Sequence, residues 1–131
     1  MKMKMNGKVI LAALVGAAIG AAGAAGIYAA QTKTPAGFMI AEENVTDQAA
    51  FGKYAAQAPP TIAAFGGHYV VRGGKTVALE GETAQRVVVV EFDSVEKAKA
   101  WYDSPAYSAL RPIRQGAAKG RLFLVEGVAG Q

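Results

Sequence analysis

The chain lacks cysteine altogether and has a single histidine, His68, among its 131 residues. This composition excludes a disulfide framework, a thiolate nucleophile and the Cys/His clusters that hold structural or catalytic zinc. We therefore expect neither a metal site nor a cofactor. The length permits one small domain and excludes a multidomain enzyme.

Clustered positive charge is missing from most of the chain. The formal net charge is +4, but three of the 14 basic residues lie before residue 31, where no acid occurs, so 11 basic and 10 acidic residues remain. The remaining basic residues are scattered and form no stripe with interleaved aromatic residues, as phosphate backbones require. We do not expect a nucleic-acid partner.

Residues 1–30 have the layout of a secretory signal peptide, with a lysine-rich start followed by an uncharged run from Val9 to Ala30. Small residues near Ala30 offer a cleavage point, and residues 31–35 form a polar linker. The alternative is an uncleaved anchor in the inner membrane over residues 9–30, since roughly twenty apolar residues can span a bilayer. Both interpretations predict export, to the periplasm or beyond it, and membrane contact only if the segment is not cleaved.

Residues 36–128 carry the alternating elements of one domain, and residues 129–131 form a tail. The pattern of apolar residues predicts strands over residues 37–43, 68–72, 86–92 and 121–128. Helices are predicted to begin at Thr46–Asp47 and at Asp93–Ser94. Pro59–Pro60 is expected to end or kink the first helix, and Ser104–Pro105 to stop the second. Further predictions are a hairpin partner for the second strand at residues 76–79, a short helical stretch over residues 105–114 and a loop over residues 116–120.

This order of elements predicts an α+β, ferredoxin-like βαββαβ fold, in which two helices cover one face of an antiparallel sheet. The strand over residues 86–92 is expected to be central. Its apolar side chains alternate onto both faces, with Val88 and Val90 on one side and Val87 and Val89 on the other. The second face of the sheet must therefore be buried against another surface. A second copy packed sheet to sheet about a two-fold axis would provide it, so we expect a homodimer in the form of a dimeric α/β barrel.

Several short motifs occur together in this domain. They are Gly66-Gly67, Val71-Arg72-Gly73-Gly74, Glu91-Phe92, Ala100-Trp101-Tyr102, Ser104-Pro105-Ala106-Tyr107, Arg111 with Arg114, and Val125-Glu126-Gly127. In this combination, residues 36–128 resemble the family known as domain of unknown function 1330, in the dimeric α/β-barrel superfamily. The resemblance implies a ferredoxin-like fold and no assigned activity. Superfamily relatives include cofactor-independent monooxygenases and small-molecule isomerases, which is an analogy of fold and not of function.

Polar and aromatic side chains are expected to converge between the sheet and the helices, where a pocket would form. The candidate ligand-binding residues are Tyr54, Arg72, Glu91, Trp101, Tyr107 and Arg114. The helical spacing of Trp101 and Tyr107 is more typical of the hydrophobic core than of a ligand site. Arg72 and Arg114 carry paired donors that suit a carboxylate or an enolate, or else an ion pair with Glu91 or Glu126. His68 is the candidate general acid or base, since it is the only side chain whose ordinary pKa lies near neutrality. The alternative, which a position beside Gly66-Gly67 at the start of a strand favours, is an exposed histidine without a catalytic role.

Three functions remain open at this point. The first is an exported homodimer that binds a small, partly apolar, anionic molecule in the pocket. The second is a cofactor-independent enzyme, similar to a monooxygenase or an isomerase, in which His68 is the acid or base and the arginines stabilise an enolate or oxygenated intermediate. The third is a non-catalytic interaction protein whose sheet face is a docking surface, which a pocket smaller than about 300 Å³ would favour.

Overall fold

Four strands and three helices are formed in residues 34–130, the part of the chain that the computed structural model describes. The strands are β1 (Gly37–Val45), β2 (His68–Arg72), β3 (Arg86–Phe92) and β4 (Ala118–Glu126), and the helices are α1 (Gln48–Ala63), α2 (Val95–Asp103) and α3 (Pro105–Ala117). The predicted signal peptide or anchor over residues 1–30 lies outside the described residues, as do residues 31–33 of the linker. Within residues 34–130, no helix is long and apolar enough to cross a membrane.

The four strands form one antiparallel sheet in the order β2-β3-β1-β4. Ala41 in β1 lies between its partners Val88 in β3 and Leu122 in β4. This order and connectivity are those of the ferredoxin-like α+β fold, so the predicted fold class is confirmed. The central position predicted for the strand over residues 86–92 is confirmed as well.

Helix α1 begins at the N-cap Asp47, whose carboxylate accepts a hydrogen bond from the backbone N–H of Ala50 at 3.0 Å. Of the two outcomes predicted for Pro59–Pro60, an end or a kink, the end does not occur, because α1 continues as one helix to Ala63 with both prolines inside it. Packing offsets the lost backbone hydrogen bonds, since Ala58 and Ile62 on either side of the prolines are buried.

The sheet is covered by three helices and not by the two predicted. Residues 105–117 form the complete helix α3, whose N-cap Ser104 accepts a hydrogen bond from the backbone N–H of Tyr107 at 3.3 Å. Pro105 occupies the first turn of α3. The backbone N–H groups of a first turn have no acceptor within the helix, so a proline there costs no hydrogen bond. The predicted loop over residues 116–120 is also wrong, because α3 ends at Ala117 and β4 begins at Ala118.

The hairpin partner predicted for β2 at residues 76–79 is wrong. β2 pairs with β3, and residues 73–85 form the connection between them. Val77 and Leu79 are 69% and 91% exposed in that connection. Since β3 offers a longer apolar run, it pairs with β1 on one side and with β2 on the other, and residues 76–79 are left without a partner.

The hydrophobic core lies between the helices and one face of the sheet. Its largest fully buried side chains are Trp101, Tyr107, Phe92 and Val90. We call the other side of the sheet the open face. Its apolar side chains include Phe38, Ile40, Val71, Val87, Val89, Phe123 and Val125. Phe123 and Val125 are 39% and 44% exposed.

Candidate functional site

Four polar side chains meet inside the domain and form what we call the buried polar cluster: Glu43 from β1, Tyr54 from α1, and Tyr107 and Arg114 from α3. The hydroxyl oxygens of Tyr54 and Tyr107 are 2.9 Å apart. Arg114 donates from Nε to the Tyr107 hydroxyl oxygen at 3.2 Å and from Nη1 to Glu43 Oε1 at 3.4 Å. Side-chain hydrogen bonds within the cluster thus connect β1 of the sheet with helices α1 and α3.

Two members of the buried polar cluster, Tyr54 and Arg114, have pKa values that their surroundings raise. Burial raises the pKa of Tyr54 well above the ordinary tyrosine value, and the neighbouring Tyr107 adds to this effect. Burial by itself lowers the pKa of Arg114, but its interactions with Tyr107, Tyr54 and Glu43 outweigh burial and raise that pKa. At neutral pH, Tyr54 therefore keeps its proton and Arg114 keeps its charge.

A cleft opens between α1 and the helix-facing side of the sheet. Met39, Phe51 and Val88 are among its apolar lining residues, and Tyr54 and Glu43 of the buried polar cluster also line it. The cleft has about 380 Å³ of empty volume when its open mouth is included, but only about 20 Å³ of it admits the centre of a water molecule. That is room for about one water, well below the roughly 300 Å³ of an ordinary ligand pocket. By the criterion stated above, this size favours the interaction protein among the three functions. A ligand would have to widen the cleft or bind at its mouth.

Two arginines from neighbouring strands line this cleft. Arg72 on β2 donates from Nη2 to the Ala55 carbonyl oxygen at 3.2 Å and lies over the Tyr69 ring, 4.4 Å from its centroid. Arg86 on β3 lies over the Phe51 ring, 5.2 Å from its centroid, and its Nε atom is buried with no hydrogen-bond partner among residues 34–130. Neither arginine pairs with a carboxylate in the described part of the chain.

Local backbone features position both arginines. Pro59 has no N–H to donate to the carbonyl of Ala55 one helical turn earlier, so that oxygen is free to accept from Arg72. Gly73 has a φ of 69°, and a Cβ atom there would overlap the guanidinium group of Arg86. Proline in α1 and glycine after β2 therefore shape the mouth of the cleft.

The structure separates the predicted site residues. Tyr54 and Arg72 line the cleft, and Tyr107 and Arg114 belong to the buried polar cluster. The ion pair of Arg114 is with Glu43, and not with either of the predicted partners, Glu91 and Glu126. The reason is strand alternation, which turns Glu43 to the same side of β1 as the buried Met39 and Ala41.

Trp101 lies in the hydrophobic core and not at the cleft. The residue is 0% exposed, and its indole Nε1 donates to Thr61 Oγ1 at 3.1 Å. Its ring centroid is 4.0 Å from that of Tyr107 and 5.6 Å from that of Phe92. In this position Trp101 has no direct access to a ligand in the cleft.

His68 and Glu91 lie on the open face, on the other side of the sheet from the cleft. His68 Nε2 is 3.4 Å from Glu91 Oε1, and the two side chains are 66% and 37% exposed. Glu91 stands between the buried Val90 and Phe92 in β3, so alternation turns it away from the helices. Across residues 34–130, no group of three or more His, Asp or Glu side chains is placed to hold a metal ion.

Sequence reasoning missed Glu43 and Arg86 as site residues. Both carry a detectable signal, since Glu43 continues the alternation of Met39 and Ala41 in β1, and Arg86 precedes Val88 by two positions in β3. The two residues are also paired across the strands. Side chains alternate between the two faces of a sheet along each strand. When this alternation is continued to the polar residues at the strand ends, Glu43 and Arg86 both fall on the helix-facing side.

Comparisons with known proteins agree with this architecture. Residues 36–128 match the model of a family described as "Domain of unknown function (DUF1330)". The chain is similar in structure to a protein of unknown function from Rhodopseudomonas palustris, with a TM-score of 0.61, 20% identity and coverage of 79% of this chain and 90% of that one. It is also similar to SnoaB, a cofactor-independent oxygenase from Streptomyces nogalater, with a TM-score of 0.51, 11% identity and coverage of 70% and 92%. At these identities the likeness concerns the fold alone, and no curated protein matches the chain.

Proposed function

The chain belongs to the DUF1330 family of domains of unknown function, and we propose that it is an exported, self-associating domain that binds a small, partly apolar anion in the cleft between α1 and the sheet. The observation that carries this proposal is the pair Arg72 and Arg86. Both line the cleft, and neither has a carboxylate partner among the described residues. Guanidinium groups present paired donors that fit the two oxygens of a carboxylate.

The remaining lining of the cleft supports an apolar body for the ligand. Met39, Phe51 and Ile62 contribute hydrocarbon surface beside the arginines. The small enclosed volume requires that the ligand enter from the mouth of the cleft, where the exposed Arg72 side chain lies. A carboxylate attached to an aromatic or branched aliphatic group combines the two requirements, so benzoate is a suitable first probe.

Benzoate binding to the purified full-length protein, followed by NMR chemical shifts, tests this site. We expect Arg72→Gln and Arg86→Gln each to weaken binding about tenfold, as the loss of one charge-assisted contact implies. Lys97→Gln removes the same charge from an exposed position on α2 and is expected to leave the affinity unchanged. Absence of binding, or an equal loss in all three variants, would contradict the proposal. Absence of binding would favour an interaction protein without a ligand, in agreement with the small enclosed volume.

Export is the part of the proposal that rests on residues 1–30. The lysine-rich start and the uncharged run up to Ala30 support it. Expression in a bacterial host with fractionation and native mass spectrometry tests it. If the protein in the periplasm has the mass of a chain that begins near Gln31, the signal peptide is cleaved. An intact chain in the membrane fraction supports the anchor. An intact chain in the cytosol would contradict export.

Cofactor-independent catalysis is the second candidate function. It is supported by the fold shared with SnoaB and by the His68–Glu91 pair, in which a carboxylate is placed to orient the imidazole. Because this pair lies on the open face, its substrate would bind there and not in the cleft. His68→Ala is expected to abolish turnover while the fold stays intact, and unchanged turnover would eliminate the role of His68.

A further inference from the structure

We propose that the Tyr54 hydroxyl group donates a hydrogen bond into the cleft, so that the ligand carries a neutral acceptor oxygen in its apolar body in addition to its anionic group. This inference rests on the proposed function, because it concerns the ligand of the same cleft. It follows from the positions of the hydrogen atoms in the buried polar cluster, which the chemistry of the four side chains determines.

The direction of the hydrogen bonds begins at Arg114. A guanidinium group has donors and no acceptor, so the Tyr107 oxygen accepts from Arg114 Nε. The hydrogen atom of the Tyr107 hydroxyl group then needs an acceptor. Among residues 34–130, the Tyr54 hydroxyl is the acceptor within hydrogen-bond distance of it, at 2.9 Å. Since Tyr107 is 0% exposed, the opposite direction would leave its hydrogen buried without an acceptor, which is unfavourable.

Tyr54 therefore accepts from Tyr107 and keeps its own hydrogen for another partner. In the described part of the chain, this hydroxyl group forms no hydrogen bond other than the one with Tyr107. Tyr54 lines the cleft, whose enclosed part has room for about one water or one ligand oxygen. Burial raises the pKa of Tyr54, so the hydrogen remains in place at neutral pH.

The charges around Tyr54 determine which kind of oxygen fits. Glu43 also lines the cleft, and its carboxylate would repel an anionic group beside Tyr54. Arg86, the cross-strand partner of Glu43, is already assigned to the carboxylate of the ligand. A second anionic group is therefore disfavoured here, whereas a carbonyl oxygen needs only the one donor that Tyr54 offers. The expected ligand class is an apolar keto acid, with its carboxylate at Arg72 and Arg86 and its ketone oxygen at Tyr54.

Two matched probes test this ligand class on the full-length protein. Para-acetylbenzoate carries a ketone, and para-isopropenylbenzoate replaces the ketone oxygen by a methylene group of nearly the same size. We expect the ketone to bind about fivefold tighter to the wild-type protein, as one hydrogen bond implies. Tyr54→Phe is expected to bind both probes equally. Tyr102→Phe removes a hydroxyl group outside the cleft and is expected to keep the preference.

A neutron structure of the unliganded wild-type protein tests the hydrogen positions without any probe or variant. We expect the deuterium between the two hydroxyl groups to be bonded to the Tyr107 oxygen. A deuterium bonded to Tyr54 and directed at Tyr107 would overturn the inference, whatever the probes show. Equal binding of both probes by a wild-type protein that binds benzoate would overturn the ligand class alone. Failure of benzoate itself would instead overturn the proposed function.

Discussion

The Glu43 carboxylate and the Arg114 guanidinium group form an ion pair inside the domain, with Glu43 Oε1 3.4 Å from Arg114 Nη1. The two side chains are only 3% and 10% exposed. Glu43 lies on β1 and Arg114 on α3, 71 positions later in the chain. The pair therefore connects distant segments, and through Tyr107 it also sets the hydrogen-bond direction at the cleft.

Glu43→Gln is expected to lower the free energy of unfolding by about 3 kcal/mol, because it leaves the Arg114 charge buried without a counter-ion. Urea unfolding followed by circular dichroism measures this loss. The matched control is Glu42→Gln, which affects the neighbouring residue on the open face and its pair with the exposed Arg121. We expect a far smaller loss from the control, since exposed pairs contribute little. Equal losses would show that the buried pair has no special role.

Alkaline pH is expected to destabilise the domain through Tyr54. Burial, followed by the neighbouring Tyr107, raises the pKa of Tyr54 above its ordinary value. The folded state then keeps a proton that the unfolded chain releases above about pH 10, so the unfolded state binds fewer protons there. The free energy of unfolding falls as the pH rises beyond that point, by up to about 1.4 kcal/mol per pH unit for this one group, whereas below it the contribution is constant.

The measurement compares wild-type and Tyr54→Phe protein in urea unfolding at a series of pH values on both sides of about pH 10. The variant is expected to lose stability less steeply, because it lacks the group whose titration differs between the two states. Tyr69 does not affect the comparison. Its pKa is raised in the same direction, mainly by burial, but it is present in both proteins. Identical slopes would contradict the assignment to Tyr54.

The order of elements could be predicted because its signals are local. Four consecutive valines predicted β3, and Ser94 predicted the start of α2, where its hydroxyl oxygen accepts from the backbone N–H of Lys97. The partner of β2 could not be predicted in this way, because it depends on competition between β3 and residues 76–79. The pairing of β2 depends on contacts between strands that are distant in the sequence, and the local turn signal at Gly73–Gly74 does not determine it.

The composition of the site could not be predicted, because it depends on which face each side chain occupies. In a regular strand, alternation would place His68 and Arg72 on the same face. The register of β2 shifts between Tyr69 and Val71, so Arg72 is paired with Val88 and shares the helix-facing side with Tyr69. This irregularity turns Arg72 into the cleft and leaves His68 on the open face.

Pro59→Ala is expected to change stability and ligand binding in opposite directions. The free energy of unfolding should rise by about 1 to 3 kcal/mol, because alanine is the better residue in a helix interior. The restored backbone N–H would compete with Arg72 for the Ala55 carbonyl oxygen, so the affinity for benzoate should fall. Urea unfolding and NMR titration measure the two effects.

Pro60→Ala is the matched control for this prediction. It makes the same change in the same helix, but the carbonyl one turn earlier belongs to Ala56, whereas Arg72 donates to Ala55. A similar gain in stability is expected, with the affinity for benzoate unchanged. If Pro60→Ala weakened binding as much as Pro59→Ala, the link between Pro59 and Arg72 would be refuted.

Val89→Asp is expected to abolish self-association. Val89 lies on the open face of a central strand, paired with Ile40 of β1, so a sheet-to-sheet dimer would bury it. An aspartate there would place a charge among apolar side chains without a counter-ion, which is strongly unfavourable in an interface and tolerable on a hydrated surface. Circular dichroism should therefore remain unchanged while sedimentation analysis shows a monomer. Val77→Asp, the same change in the exposed connection between β2 and β3, should remain a dimer. A monomeric wild-type protein would refute self-association and leave the open face available to a different partner.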